Sequence, residues 1–271
     1  MANLNFHQTF KPEPGYLYRI LELCPCEKLS LEEISKRTGI PTGKSSGKVE
    51  PMIDYALFMG LINMEKEDRS YTLSRTKLGE AVFQEDPGFQ EKITLLLMHG
   101  LASRYVQGAP GWGYVFRSIF PKYSFRCHRE DVLKEMSFFY GKQVTSKTIG
   151  SLFAAYSSMF APLSFFSETT AGLRLSPLPL TEESLYAYAY LLFSYWDEEK
   201  SLSSLDEITS VDFKSLSFGA TFGWNEKNTY ECLERLSEKR LIRLNRQFMP
   251  FTILRFAKKD DLVPLLYSEL L

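Results

Sequence analysis

Residues 30–83 constrain this chain most, because several local signals there agree on one arrangement. Ser30-Leu31-Glu32-Glu33 has the form of a capping box. In that motif the serine hydroxyl accepts an exposed helix amide, and the glutamate reaches back to the amide of the capping residue. Leu31 and Ile34 then fall on one face of a short helix. Gly39 marks its end, since glycine enters left-handed backbone without steric cost. Val49, Ile53, Ala56, Leu57 and Leu61 recur at helical spacing, which puts Pro51 in the first turn of a second helix, where its missing amide costs little. Two strand-like runs follow, Leu61 to Lys66 and Tyr71 to Leu73, joined by Glu67-Asp68-Arg69-Ser70. Helix, turn, helix, hairpin predicts a winged helix-turn-helix.

A helix carrying Tyr16, Leu17, Ile20, Leu21 and Cys24 precedes that unit, and Pro12 and Pro14 hold the approach to it extended. Ser74 is expected to cap a helix with Leu78, Val82 and Phe83, ending near Asp86-Pro87-Gly88. Residues 89–166 read as helices alone. An apolar run from Phe89 to Tyr105 breaks at Gly108-Ala109-Pro110-Gly111, and Trp112 to Phe120 stops at Pro121. Arg129 to Tyr140 and Thr145 to Phe160 complete that set. Beyond Pro177 and Pro179 the first pattern returns. Leu185, Ala189, Leu192, Phe193 and Trp196 form an opening stripe, and Ser204-Leu205-Asp206-Glu207-Ile208 restates the capping box. Leu233, Leu236 and Leu241 fall where Ile53, Ala56 and Leu61 fall. A hairpin runs from Leu241 to Gln247 and from Phe251 to Phe256 around Phe248-Met249-Pro250, and the tail from Asp260 to Leu271 reads as a closing helix. The expected fold class is mainly α with small β hairpins. Two winged helix-turn-helix modules, at 1–88 and 177–271, flank a helical middle section at 89–176.

A hydrophobic share of 44% with 14% aromatic residues excludes disorder. No run approaches the roughly 20 apolar residues that span a bilayer, and the first ten residues lack the basic and apolar regions of a secretion signal. The four cysteines show no framework spacing, and Cys24-Pro25-Cys26 is one residue short of the usual redox or zinc pair. Reduced thiols in a cytoplasmic protein are expected. A net charge of −1 argues against indiscriminate polyanion binding, but the cations are segregated. No acid lies between Glu33 and Glu50, between Glu91 and Glu130, or between Glu238 and Asp260.

In such modules the N-terminal end of the second helix reaches base edges and suits phosphate. In the first copy that region holds Lys44, Ser45, Ser46 and Lys48, with Arg69 on the following hairpin. The loop is not a P-loop, because the spacing of its glycines and lysine is wrong. In the second copy the region holds Asn225, Lys227 and Asn228, with Arg246 on the hairpin. Asn225 suits a paired contact with adenine, and it equally suits a helix cap. The middle section interleaves Arg104, Arg117, Lys122 and Arg126 with rings, a pattern that grips single strands by stacking and charge. Trp112, Phe116 and Phe120, at helical spacing, read as core. Catalytic patterns are thin. His7, His99 and His128 are scattered, and Glu198-Glu199-Lys200 is similar to a fragment of metal-nuclease motifs at a length close to chance. No nucleophile elbow or dinucleotide fingerprint is present, so the catalytic residues stay unassigned.

Four motifs carry a resemblance: His7-Gln8-Thr9-Phe10 with Phe6 and Tyr16; Gly39-Ile40-Pro41-Thr42-Gly43-Lys44; Leu96-Leu97-Met98-His99; and the Trp112-led helix. Over essentially its full length the chain resembles a bacterial family of unknown-function proteins encoded beside DNA phosphorothioation genes. The stretch from Thr42 to Pro51 is most similar to the branch found in the Ssp antiphage systems. That resemblance implies a DNA-acting defence component, in that branch a DNA nicking endonuclease. Nicking there opens the duplex for single-stranded sulfur modification by a cysteine desulfurase, an ATPase and a sulfur-transfer protein. It implies Mg2+ for nicking and no organic cofactor, and it assigns no catalytic residue. Two other readings stand beside it: a non-catalytic DNA-docking adaptor for the sulfur enzymes, and a winged-helix transcriptional regulator, which would not need residues 89–166.

Overall fold

Ser30 and Glu33 make the reciprocal bonds their spacing calls for. The amide of Glu33 donates to Ser30 Oγ at 3.2 Å, and the amide of Ser30 donates to the Glu33 carboxylate at 2.8 Å. The computed structural model describes residues 3–43 and 47–270. In it, α1 (Pro14–Leu23), β1 (Cys26–Ser30), α2 (Leu31–Thr38), α3 (Val49–Phe58), β2 (Ile62–Glu67) and β3 (Ser70–Arg75) follow in order. Their three strands form an antiparallel sheet in the order β1-β3-β2. Helix α2 ends at Gly39, whose φ of 69° is the left-handed turn that glycine allows. Helix α4 (Lys77–Glu85) is capped by Thr76, whose Oγ1 accepts from the amide of Gly79 at 2.8 Å. Ser74, expected in that role, lies inside β3 opposite Asn63, because the hairpin runs further than its apolar residues indicate.

The middle section departs from the all-helical expectation. After α5 (Lys92–Ala102) come α6 (Trp112–Tyr114), a π-helical turn at Val115–Ile119 and α7 (Phe120–Lys122). Pro121 does not stop this helix. It lies in the last turn of a continuous helical stretch, which runs one residue further to Lys122. Then follow β4 (Arg126–Cys127), α8 (Arg129–Tyr140), α9 (Ser146–Tyr156), β5 (Phe166–Thr169) and β6 (Gly172–Leu175). These strands form a second antiparallel sheet, β4-β6-β5. Strand β4 is two residues long and pairs with β6 across the whole of α8 and α9, so no local pattern announces it.

The last stretch repeats the first order. It runs α10 (Leu185–Glu198), β7 (Glu207–Thr209), α11 (Ser210–Ser215), α12 (Phe218–Thr221), α13 (Glu226–Glu238), β8 (Ile242–Asn245) and β9 (Thr252–Arg255), with the sheet ordered β7-β9-β8. Only α12 is extra. The capping box of this copy is Thr209 with Asp212, not Ser204 with Glu207. Glu207 instead pairs in β7 opposite Leu254, and strand pairing decides between the two candidate boxes. The tail forms a 3-10 helix at Lys259–Leu265, not an α-helix. The fold is mainly helical with three small antiparallel sheets.

Helices α5 and α10 form the axis of the core. Every α5 residue from Ile93 to Ala102 is buried, and so is every α10 residue from Leu185 to Trp196 except Tyr186. A helix apolar all round must be covered all round. The two pack at Gly100, where an added Cβ would come within 2.5 Å of Leu191. Beside it, His99 joins three parts of the chain. Its Nε2 lies 2.8 Å from the carbonyl of Thr221, which can only accept, so Nε2 carries the proton. Its Nδ1 therefore accepts the Tyr156 hydroxyl at 2.5 Å. Burial holds the His99 pKa down, at about 4.

This sets a pH dependence. The folded pKa lies below the unfolded value of about 6.5, so the unfolded chain takes up the proton first as pH falls. Stability from this residue is complete above pH 6.5 and declines between there and pH 4, by about 3 kcal/mol in all. Urea denaturation of His99→Gln is expected to show lower stability at pH 7.5 but a shallower fall towards pH 5 than the unsubstituted chain.

Candidate nucleic-acid interface

The Phe6–Phe10 motif folds into a brace. Phe6 packs edge-on against Tyr55 and Phe58, and the carbonyl of Phe10 accepts from the Tyr55 hydroxyl at 2.9 Å. His7 is buried. Its Nε2 donates to the carbonyl of Thr148 at 2.9 Å, and its Nδ1 accepts from the amide of Thr9 at 2.9 Å. Burial lowers its pKa. Gln8 donates to Glu50 at 3.2 Å. Gln8 and Thr9 both sit at positive φ, 46° and 75°, a conformation that β-branched threonine adopts only when its surroundings impose it. The motif thus ties the amino-terminal segment to α3 and α9.

The cations expected to line a nucleic-acid track divide sharply. Lys44, Ser45 and Ser46 lie outside the described residues. Lys48 is a clamp: its Nζ pairs with Glu13 at 2.7 Å and sits 5.3 Å from the ring centres of both Phe10 and Tyr16. Arg104 and Arg117, expected on the surface, are buried. Arg104 donates to the carbonyl of Leu101 and to Gln107. Arg117 lies between the rings of Tyr105 and Tyr195, at 3.8 and 4.5 Å, and donates to the carbonyl of Leu216. Its Nε and Nη1 have no hydrogen-bond partner among the described residues. The π turn places Arg117 on the buried face, which an α-helical reading of Trp112 to Phe120 does not anticipate. Lys122 is exposed but pairs with Glu135 at 2.6 Å.

Arg69, Arg126 and Lys227 are exposed and form no ion pair among the described residues. Arg69 sits in the β2–β3 turn. Arg126 on β4 lies directly opposite Arg174 on β6, with Ser167 of β5 on the other side. Like charges at opposed positions repel, so this row favours an anion. No local signal marks Arg174, because β6 is defined by its pairing with β4 and β5. Lys227 stands in the first turn of α13. Asn225 caps that helix, its Oδ1 accepting from the amide of Asn228 at 2.9 Å. Of its two possible roles, the capping one is occupied. Asn228 is half-buried beside it. Arg246 pairs with Glu234 at 2.9 Å and lies over the Tyr230 ring.

The Glu198–Lys200 fragment is not arranged for chemistry. Glu198 accepts from the amides of Val106 and Gln107 at 2.9 and 2.6 Å, and Asp197 pairs with buried Arg255 at 2.5 Å. A different carboxylate pair stands on successive turns of α3. Glu50 accepts from Lys66 and from the Tyr71 hydroxyl, each at 2.8 Å, and Lys66 holds its pKa below the usual range. Burial, helped by the charge of Glu50, pushes Asp54 up to about 7. Two carboxylates driven apart in this way are a feature of functional sites. Only the spacing of Glu50 and Asp54 could have signalled them. Magnesium asks for octahedral oxygen ligands, whereas Glu50 is already neutralised by a lysine. Among the described residues no three His, Cys, Asp or Glu side chains are grouped to hold a metal. That donor set does not fit a magnesium ion.

Two solved structures share this fold across its full extent. A structure described as magnesium ion-bound SspB matches with a TM-score of 0.71 at 13% identity, covering 100% of this chain and 90% of that one. A second SspB crystal structure matches with a TM-score of 0.71 at 15% identity, covering 100% of this chain and 88% of that one. The fold is that of SspB, in line with the resemblance seen in the sequence. No protein-family model and no curated protein matches the sequence.

The raised Asp54 pKa has a testable sign. The folded state holds this proton up to about pH 7, whereas the unfolded chain releases it near pH 4. Stability from Asp54 is therefore greatest below pH 4 and is lost as pH rises through 7. Asp54→Asn is expected to raise the melting temperature at pH 8 and to change it little at pH 4.

Proposed function

We propose that this chain is a DNA-binding component of a bacterial phosphorothioation-linked antiphage system, with nicking of duplex DNA as its activity. The observation that carries the reading is the likeness to SspB over the whole chain, at a TM-score of 0.71. Fold alone does not assign function, so the surface has to agree. Support comes from the repeated order of elements, which fits winged helix-turn-helix modules at 1–88 and 177–271 on either side of 89–176. Each outer copy offers an exposed cation free of ion pairs among the described residues, Arg69 on a hairpin turn and Lys227 at a helix start. In this reading the outer modules position the duplex through its phosphates, and the middle section, with Arg126 and Arg174, meets the strand that is opened. The sulfur enzymes of such a system, a desulfurase, an ATPase and a transfer protein, are the partners. Among the described residues no helix is long and apolar enough to cross a membrane.

Two measurements test this. Incubation with supercoiled plasmid, run in parallel with Mg2+ and with chelator, is expected to give open circles. Binding without conversion would instead favour a docking adaptor. Replacing Arg69 and Lys227 together by alanine is expected to make the log–log salt dependence of duplex binding shallower by about two. Lys48→Met is expected instead to lower stability by about 1 kcal/mol, through its lost pairing with Glu13 and the two rings.

A further inference from the structure

The β8–β9 hairpin carries two large apolar side chains at its tip, between Arg246, which pairs with Glu234, and Phe251, which packs against Tyr230. Asn245 opposite Thr252 is the last paired position, and residues 246–251 project beyond it. At the tip Phe248 is 78% exposed and Met249 83%. Neither packs against the core. The equivalent turn of the first copy, Asp68-Arg69, is polar and flanked by Glu67 and Ser70. The two hairpins thus hold the same place in a repeated order, one with a charged tip and the other with an apolar one.

Charge narrows what the apolar tip meets. Residues 239–259 hold seven cations and no acid. Three are engaged: Lys239 with Glu269, Arg246 with Glu234, and Arg255 with Asp197. Arg240, Arg243 and Lys258 are exposed and form no ion pair among the described residues. Arg243 and Asn245 share the exposed face of β8, and the Arg243 guanidinium rests over the Phe256 ring at 5.3 Å. Acids do reach this hairpin from other elements, but they are engaged, Glu234 by Arg246 and Glu207 by the Thr252 hydroxyl. An apolar point with unpaired cations nearby complements a polyanion that carries apolar layers within it. Stacked base pairs between phosphate rails have that make-up, and phenylalanine and methionine are among the side chains that enter base steps.

We propose that Phe248 and Met249 form a wedge that enters a base step of duplex DNA, with Arg243 neutralising a flanking phosphate. The inference rests on the DNA-binding reading above and adds to it a means of unstacking the duplex. A wedge spends less free energy where stacking is already weak, so a mismatched duplex is the informative probe.

The full-length chain and Phe248→Ala/Met249→Ala are compared on end-labelled duplexes, fully paired or with a central mismatch, reading affinity and end-to-end energy transfer. The unsubstituted chain is expected to prefer the mismatch and to draw the ends together. The double variant is expected to bind the paired duplex about tenfold more weakly, with no preference and no bend. Its salt slope stays unchanged, whereas Arg243→Ala makes the slope shallower by about one. Both substituted side chains are exposed, and circular dichroism checks that the fold is kept. Equal affinity and bending by the double variant overturns the wedge and leaves DNA binding standing. No duplex binding by the unsubstituted chain overturns the DNA reading itself. Sedimentation with phosphatidylserine vesicles that the double variant loses, with DNA behaviour unchanged, also overturns the wedge and reassigns the tip to an anionic bilayer surface.

Discussion

The α5–α10 pair has no polar face to offer solvent, and the rest of the molecule is arranged to meet that condition. Apolar surface on every side of α10 must be covered by other elements, which come from the tail, α13 and α5 itself. The few polar groups inside this shell are then under strict demand, because an unpaired one is expensive to bury. His99 answers that demand by bonding outward in two directions, to Tyr156 in the middle section and to Thr221 in the last copy. Tyr195 does the same, donating to the carbonyl of Gly100. The middle section and the last copy are thereby joined through buried hydrogen bonds.

What was legible in the sequence was local. The Ser30 box, the glycine stop at Gly39, the first hairpin and the span Arg129–Tyr140 all rest on interactions within a few residues, and each was anticipated. What was not legible depends on partners far along the chain. Strand β4 exists because Arg126 and Cys127 meet β6 some fifty residues later. Ser204 and Thr209 both begin acceptable capping boxes, and pairing with β9 makes the later one the helix start. Even the π turn, a short-range feature, shows itself only through the packing that stabilises it.

The same contrast governs the surface. Three sequence blocks free of acids looked like three cationic patches, but their counter-ions arrive from elsewhere. Lys48 takes Glu13, Lys122 takes Glu135 and Arg255 takes Asp197. Charge segregation along a chain overstates charge segregation in space wherever an acid-rich element packs alongside. Among the described residues the exposed cations without an ion pair include Arg69, Arg126, Arg174 and Lys227, which lie at a turn, across a short sheet and at a helix start, and Arg240, Arg243 and Lys258 around the last hairpin.

Arg117 illustrates how far such a residue can travel from its expected role. With its guanidinium over two tyrosine rings, and two of its nitrogens without an acceptor among the described residues, it is a cation held by aromatic faces as much as by hydrogen bonds. A lysine there would keep the formal charge and lose the plane, so the exchange that looks mildest on paper would be among the harsher ones in the protein. Chemical similarity between side chains is a property of the surroundings that receive them, and here those surroundings are two ring faces.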